Sequence, residues 1–273
     1  MRLSLLWVLA LAFLTSLTVR AQISVKQAPP SELLQVEGPF NPHAAPPPFT
    51  ASEEELEAAG DSFRAEKIYL DAIDYYRAAL AKKPNDASLC NKTGITELLL
   101  QRYKDASKDF ARAIKIDASY ADAYNNLGVI YYLEKKQGKA IKQYEKAIAL
   151  RPDSASYYSN LGAAHFSKKE FEAASFAYGK AVQLDPDIFE RSSHTGVAAQ
   201  LSSPEDRARF DYVLAKLYAQ SGSTDRSLQY LRKCLEEGYK GIDDVYKDQE
   251  FSALRKDPRF AELMAARPLA IPE

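Results

Sequence analysis

The chain of 273 residues holds 36 Lys plus Arg against 37 Asp plus Glu, for a formal net charge of −1 at pH 7. This near-neutral balance provides no global field toward nucleic acid or an anionic membrane. Phosphate-driven binding would need a strongly basic face, and none is visible in the sequence. Hydrophobic residues make up 46% and charged residues 27%, which is typical of a globular chain with a buried core.

Residues 1–21 have the features of a secretory signal peptide. Arg2 supplies a positive start, the run 3–17 is almost wholly apolar, and Val19 and Ala21 stand where a signal peptidase reads small or medium residues. The apolar run is short for a membrane span, which needs about 20 residues. We therefore predict cleavage after Ala21 and an exported chain, periplasmic or secreted. The alternative is an uncleaved anchor, and only then would the chain contact the membrane.

Residues 22–50 are predicted to form a proline-rich flexible linker. Seven of the chain's 14 prolines lie there. Proline lacks an amide donor and blocks helix formation, so the segment should be extended. Such a linker would hold the folded part away from a membrane or leave room for processing.

From residue 53 onward the sequence repeats with a constant period of 34 residues, the separation of Gly60 and Gly94. Four columns keep this step over four copies: a glycine column (Gly60, Gly94, Gly128, Gly162), an alanine column (Ala72, Ala106, Ala140, Ala174), an aromatic column (Tyr76, Phe110, Tyr144, Tyr178) and a second alanine column (Ala79, Ala113, Ala147, Ala181). A period of about 34 residues is typical of stacked helix pairs. Each glycine is expected in the first helix of a pair, where its missing side chain lets the second helix approach closely. The aromatic column is expected to fill the gap between successive pairs.

These columns, together with Leu127-Gly128, Tyr131 and Leu161-Gly162, resemble the tetratricopeptide repeat family, in an exported bacterial form. The resemblance implies an all-α fold in which antiparallel helix pairs stack into a right-handed superhelix. The four repeats are predicted at 53–86, 87–120, 121–154 and 155–188.

The period is then interrupted by a predicted irregular insert at 189–205. A fifth helix pair follows at 206–238, with Gly222 in its turn and Gly238 ending its second helix. Residues 239–273 are predicted to form a helical cap, because each pair leaves an apolar side for the next pair.

The two cysteines, Cys90 and Cys234, fall at inward-facing positions of repeats that lie far apart along the array. Export would permit a disulfide, but the distance that a disulfide can span favours two buried free thiols.

The first helices of the pairs are expected to line a concave face whose outward positions read a ligand. As a hypothesis, Tyr132 and Phe166 anchor a partner there, since aromatic side chains bury a large area with few rotatable bonds. Asn126 and Asn160 either bind the backbone of an extended peptide or satisfy neighbouring backbone groups. The full predicted set is Asn91, Asn125, Asn126, Val129, Tyr132, Ser159, Asn160 and Phe166.

Some members of the family bind a C-terminal carboxylate with basic and amide side chains of the groove. Here Glu57 and Asp61 stand at the matching positions of the first repeat, and they have the wrong charge for that role. The predicted groove is acidic near the first repeat and carries amides and aromatics in repeats three and four. Such a face suits a neutral or basic extended segment, or a partner helix.

Motifs for catalysis are missing from the sequence. His43, His165 and His194 do not share metal-ligand spacing, and there is no Gly-rich phosphate loop or nucleophile motif. His165 falls on a repeat column and is expected to be a packed side chain. We therefore predict a non-enzymatic scaffold of the cell envelope, with no cofactor or metal, that binds a protein or peptide. The alternatives are an accessory subunit that positions or regulates an envelope enzyme, and self-association through an exposed repeat edge.

Overall fold

A computed structural model of the chain describes residues 46–191 and 203–266. The predicted signal peptide, most of the linker, most of the insert and the C-terminal stretch 267–273 lie outside these ranges. Within them, no helix combines the length and the hydropathy needed to cross a membrane.

The described residues form five successive helix pairs. In chain order they are α1 (Glu53–Ala65) with α2 (Tyr69–Lys82), α3 (Ala87–Leu99) with α4 (Tyr103–Ile116), α5 (Ala121–Leu133) with α6 (Gln137–Leu150), α7 (Ala155–Ser167) with α8 (Phe171–Leu184), and α9 (Pro204–Gln220) with α10 (Thr224–Glu236). A short connection makes the two helices of each pair antiparallel, and the second helix of each pair packs against the first helix of the next.

The stack ends in short helices. Three 3-10 turns and a final helix follow the fifth pair: Ile242–Tyr246, Gln249–Phe251, Leu254–Lys256 and α11 (Pro258–Ala266). Phe251, Leu254 and Phe260 of this segment are buried and belong to one apolar cluster with α9 and α10. The predicted all-α fold of stacked helix pairs with a C-terminal helical cap is confirmed.

In each of the first four pairs, an aromatic ring of the second helix packs directly against a glycine of the first helix. A Cβ built at any of the four glycines would lie 2.5–2.6 Å from a ring carbon of the aromatic residue in its own pair, a separation that real Cβ atoms do not show. The rings therefore pack inside their pairs against the glycine, and not only between pairs as the sequence suggested. The fifth pair carries Ala215 and Leu231, both buried, at these two positions.

The turn inside every pair contains one residue in the left-handed backbone region. In the first four pairs these residues occupy one column of the repeat and have φ between 58° and 63°: Lys67, Gln101, Lys135 and Lys169. The fifth pair has Gly222 at this place with φ of 79°, and Gly238 follows α10 with φ of 74°. Both glycines thus stand where the sequence predicted them, at positions whose backbone conformation favours glycine.

The two cysteines are buried and free, as predicted. Each lies on the core side of its helix, Cys90 on α3 and Cys234 on α10, and neither has any solvent exposure. Burial raises the pKa of both thiols, so both remain protonated at neutral pH. They act as small core side chains.

The hydroxyl groups of the aromatic column differ in their surroundings. The Tyr76 hydroxyl donates to Asp61 Oδ1 at 2.6 Å and accepts from Arg64 Nε at 3.1 Å. The Tyr144 hydroxyl is buried and has no hydrogen-bond partner within the described residues. Phe110 occupies the same place in the second pair without a hydroxyl.

We expect Tyr144→Phe to raise the free energy of unfolding by about 1 kcal/mol, because it removes a buried polar group that makes no hydrogen bond. Tyr76→Phe is the matched control and should lower the same quantity by about 1 kcal/mol, since it removes a hydroxyl with two partners. Urea unfolding followed by circular dichroism measures both. A loss of stability in Tyr144→Phe would contradict the expectation.

Candidate protein-binding faces

Four of the predicted site residues form a ladder of side-chain amides across α3, α5 and α7. Asn126 Nδ2 donates to Asn91 Oδ1 at 2.9 Å, Asn125 Nδ2 donates to Asn126 Oδ1 at 3.2 Å, and Asn160 Nδ2 donates to Asn125 Oδ1 at 2.9 Å. The amides therefore satisfy one another rather than neighbouring backbone groups. Asn91 and Asn125 are only 5% and 8% exposed, so these two do not face outward as expected.

The first step of the stack has an ionic version of the same ladder. Lys92 Nζ lies 2.6 Å from Glu57 Oε1 and 2.5 Å from Asp61 Oδ2. Burial alone would raise the pKa of Asp61, but hydrogen bonds from Lys92 and Tyr76 outweigh it and lower that pKa. Arg64 Nη2 also lies 3.4 Å from Asp61 Oδ1. Because Lys92 and Arg64 together balance the two carboxylates, the groove is not acidic near the first repeat and does not favour a basic partner segment.

Tyr132 and Phe166 belong to the core rather than to an open surface. They are 6% and 2% exposed. The Tyr132 hydroxyl shares a hydrogen bond of 2.8 Å with Ser167 Oγ on the next first helix. The Phe166 ring packs edge-on against Phe171 and Phe210, with centroids 5.3 and 6.0 Å away. Neighbouring helices thus cover both rings, which corrects the hypothesis that they anchor a partner.

Four predicted residues keep solvent access on the face formed by the first helices. Asn126, Val129, Ser159 and Asn160 are each partly exposed. Asn126 and Asn160 each donate one amide N–H within the ladder. The other N–H of each amide has no acceptor among the residues that the structure describes. We call this surface, from Asn126 to Asn160 on α5 and α7, the amide face.

A second surface, not foreseen from the sequence, lies between α8 and α9. These helices contact each other less extensively than at the other three junctions between pairs, and a groove of about 650 Å³ opens there. Phe176 borders this groove and is 68% exposed. The equivalent residues of the first three pairs are Asp74, Lys108 and Lys142. An aromatic residue in a column that is charged in the first three pairs is the signal by which the sequence could have revealed this surface.

His165 is a partly buried side chain, in line with its repeat column. Its Nδ1 lies 2.7 Å from Glu170 Oε2. The hydrogen bond from Lys168 lowers the pKa of Glu170 most, and the contact with His165 lowers it further. In the described ranges there is no cluster of three His, Cys, Asp or Glu residues able to hold a metal ion.

Successive helix pairs that stack second helix on first helix, four of them at a constant repeat period, define the class of helical-repeat interaction proteins. Family models described as tetratricopeptide repeats match residues 94–138, 130–169, 155–188 and 209–237. The chain is a tetratricopeptide repeat protein.

Curated proteins offer no match to this chain. The crystal structure of a MamA protein is 23% identical and the match covers 72% of this chain and 95% of that one, with a TM-score of 0.48. The structure of PilF from Pseudomonas aeruginosa is 20% identical and the match covers 72% of this chain and 82% of that one, with a TM-score of 0.51. At this level of identity, the likeness to PilF concerns the fold alone.

Proposed function

We propose that this chain is a non-catalytic scaffold that binds a protein segment along the amide face. The repeats and their fold suggest a protein-interaction scaffold as the general function. The observation that carries the more specific proposal is the ladder, which holds Asn126 and Asn160 in place while leaving each an amide N–H to offer.

The chemistry of the amide face fits a neutral extended segment. Two asparagine side chains on successive first helices can donate to carbonyl oxygens of a peptide backbone, which has no partner for those oxygens when it is extended. Val129 supplies apolar contact and Ser159 a small hydroxyl beside them. Since Lys92 and Arg64 already balance Glu57 and Asp61, the partner does not need a positive charge.

The test is a selection of displayed peptides on the purified full chain, followed by affinity measurements on variants. We expect Ser159→Arg to weaken the selected peptides by about tenfold or more, because the arginine side chain would occupy the face. Ser252→Arg places the same change on the exposed surface of the C-terminal cap and should leave the affinity unchanged. Equal binding to both variants would rule out the amide face.

Export to the cell envelope is part of the same proposal and rests on the sequence features of residues 1–21. N-terminal sequencing of the protein recovered from the envelope or the medium should begin at Gln22. A mature protein that still begins at Met1 would refute cleavage.

A further inference from the structure

We infer that the groove between α8 and α9 is a second docking site, for a partner segment that presents a bulky apolar side chain next to a carboxylate. This inference does not depend on the amide face, because its residues come from α8 and α9 rather than from α5 and α7. The scaffold would then hold two segments at once.

The first argument is the exposure of Phe176. An isolated exposed aromatic residue is common on protein surfaces, but this one stands where the first three pairs carry charged residues and the fifth carries Gln229, and it borders a concave surface. Aromatic side chains at the edge of a groove are frequent anchors of protein interfaces, since they lose little conformational entropy when they are buried.

The second argument is the shape of the groove beside that ring. Gly179 lies one helical turn after Phe176, where the first three pairs carry Arg77, Ala111 and Glu145. A Cβ at Gly179 would lie 3.3 Å from Leu217 Cδ2, so the glycine makes room for the Leu217 side chain against α8. Phe171, Val213 and Leu217 complete an apolar lining. The groove therefore has an apolar floor beside Phe176, against which a bulky apolar side chain of a partner can pack.

The third argument is charge. Lys180 Nζ donates to Gln183 Oε1 at 3.2 Å, and the Arg209 guanidinium lies over the Phe171 ring at 4.4 Å from its centroid. Neither cation forms an ion pair within the described part of the chain. A guanidinium stacked on a ring keeps its N–H edge available for a carboxylate.

The third cation of the lining is already bound by two acids. Lys216 is matched by Asp248 at 2.9 Å and by Glu250 at 3.3 Å. Glu172 is the one lining acid for which the described residues show no ion pair. Counted together with Asp248, the charges of the lining sum to zero, so no excess of positive charge draws a partner here. The carboxylate is argued from availability instead, because within the described residues Lys180 and Arg209 have no ion pair and only Glu172 opposes them.

The experiment uses the full chain carrying Ser159→Arg, so that the amide face is blocked, as the target of a displayed peptide library. We expect the selected peptides to combine a bulky apolar residue with an adjacent Asp or Glu. Phe176→Lys, which installs the residue present at positions 108 and 142, should weaken these peptides by about tenfold or more. Lys142→Ala, at the equivalent position of the third pair, should leave their affinity unchanged.

A charge exchange tests the carboxylate. Lys180→Glu should weaken the selected peptides and should restore binding to versions in which their carboxylate residue is replaced by Lys. Three results would overturn the inference: selected peptides that bind Phe176→Lys as tightly as the parent, peptides rich in basic residues, or a concentration-dependent dimer in sedimentation that Phe176→Lys abolishes. The last result would make a second copy the occupant. Failure of the amide face would leave all these readouts intact.

Discussion

Replacing Gly128 with alanine is expected to lower the free energy of unfolding by about 2 kcal/mol, although alanine is the better helix former by about 1 kcal/mol. The added Cβ would lie 2.5 Å from Tyr144 Cε1, in the buried interface between α5 and α6. The ring cannot swing into solvent, because it has no exposed surface. The two helices must therefore separate, and the strain of overpacking exceeds the gain in helix propensity.

Two controls separate this steric effect from a general effect of the substitution. Gly138→Ala, on α6, introduces the same methyl group where no atom lies within 4 Å, and it should be neutral or slightly stabilising. Gly128→Ala combined with Tyr144→Leu reproduces the pair Ala215 and Leu231 of the fifth repeat. The double variant should lose less than the sum of the single losses, with a coupling of about 1 kcal/mol. Urea unfolding of the parent chain, of the single variants Gly128→Ala, Tyr144→Leu and Gly138→Ala, and of the double variant measures these free energies. A Gly128→Ala protein as stable as Gly138→Ala would contradict the argument.

The same glycine and ring explain why the fold could be predicted from the sequence. A helix that must pass close to an aromatic ring tolerates only glycine at the point of closest approach, and this volume constraint recurs at Gly60, Gly94 and Gly162. Because this constraint recurs in each of the first four repeats, it leaves the same residue types at the same repeat positions, and the sequence alone shows that pattern. The position of the end cap also followed, because an uncovered helix pair would expose its apolar side.

The binding faces were less predictable, because exposure depends on neighbouring helices rather than on position within a helix. Phe166 lies at an outward position of α7 but is covered by Phe210 of α9, which comes after the irregular insert. The ladder was visible in principle, since Glu57 and Lys92, Asn91 and Asn126, and Asn125 and Asn160 are all 35 residues apart. Each of these pairs joins one position of a repeat to the adjacent position of the next repeat. A comparison of equivalent positions alone therefore does not detect the ladder. The width of the α8–α9 groove depends on where α9 sits against α8, and no local pattern encodes that.

Asp211→Asn is expected to raise the free energy of unfolding by about 2 kcal/mol at pH 8 and to change it little at pH 4. Burial on α9 raises the pKa of Asp211 from 3.8 to about 7, and the nearby Lys233 and Arg207 only partly oppose this effect. Within the described residues no hydrogen bond or ion pair reaches the carboxylate. Because the folded protein binds the proton more tightly than the unfolded chain, stability falls as the pH rises from about 4 to 7. Asparagine cannot ionise, so it removes that loss.

Two further variants give the sign and the pH window of this effect an independent check. Burial also raises the pKa of Asp109, to about 6, so Asp109→Asn should act in the same direction with its effect complete at a lower pH. Asp117 is the opposite case, because hydrogen bonds from the side chain and backbone of Ser119 lower its pKa. Its charged form stabilises the fold above the unfolded pKa, so Asp117→Asn should reduce stability at pH 8 and lose its effect as the pH falls. Urea midpoints measured at pH 4, 6 and 8 should therefore rise with pH for Asp211→Asn relative to the parent chain. A shift of the same size at all three pH values would mean that the substitution acts through packing rather than through the charge of a half-buried carboxylate.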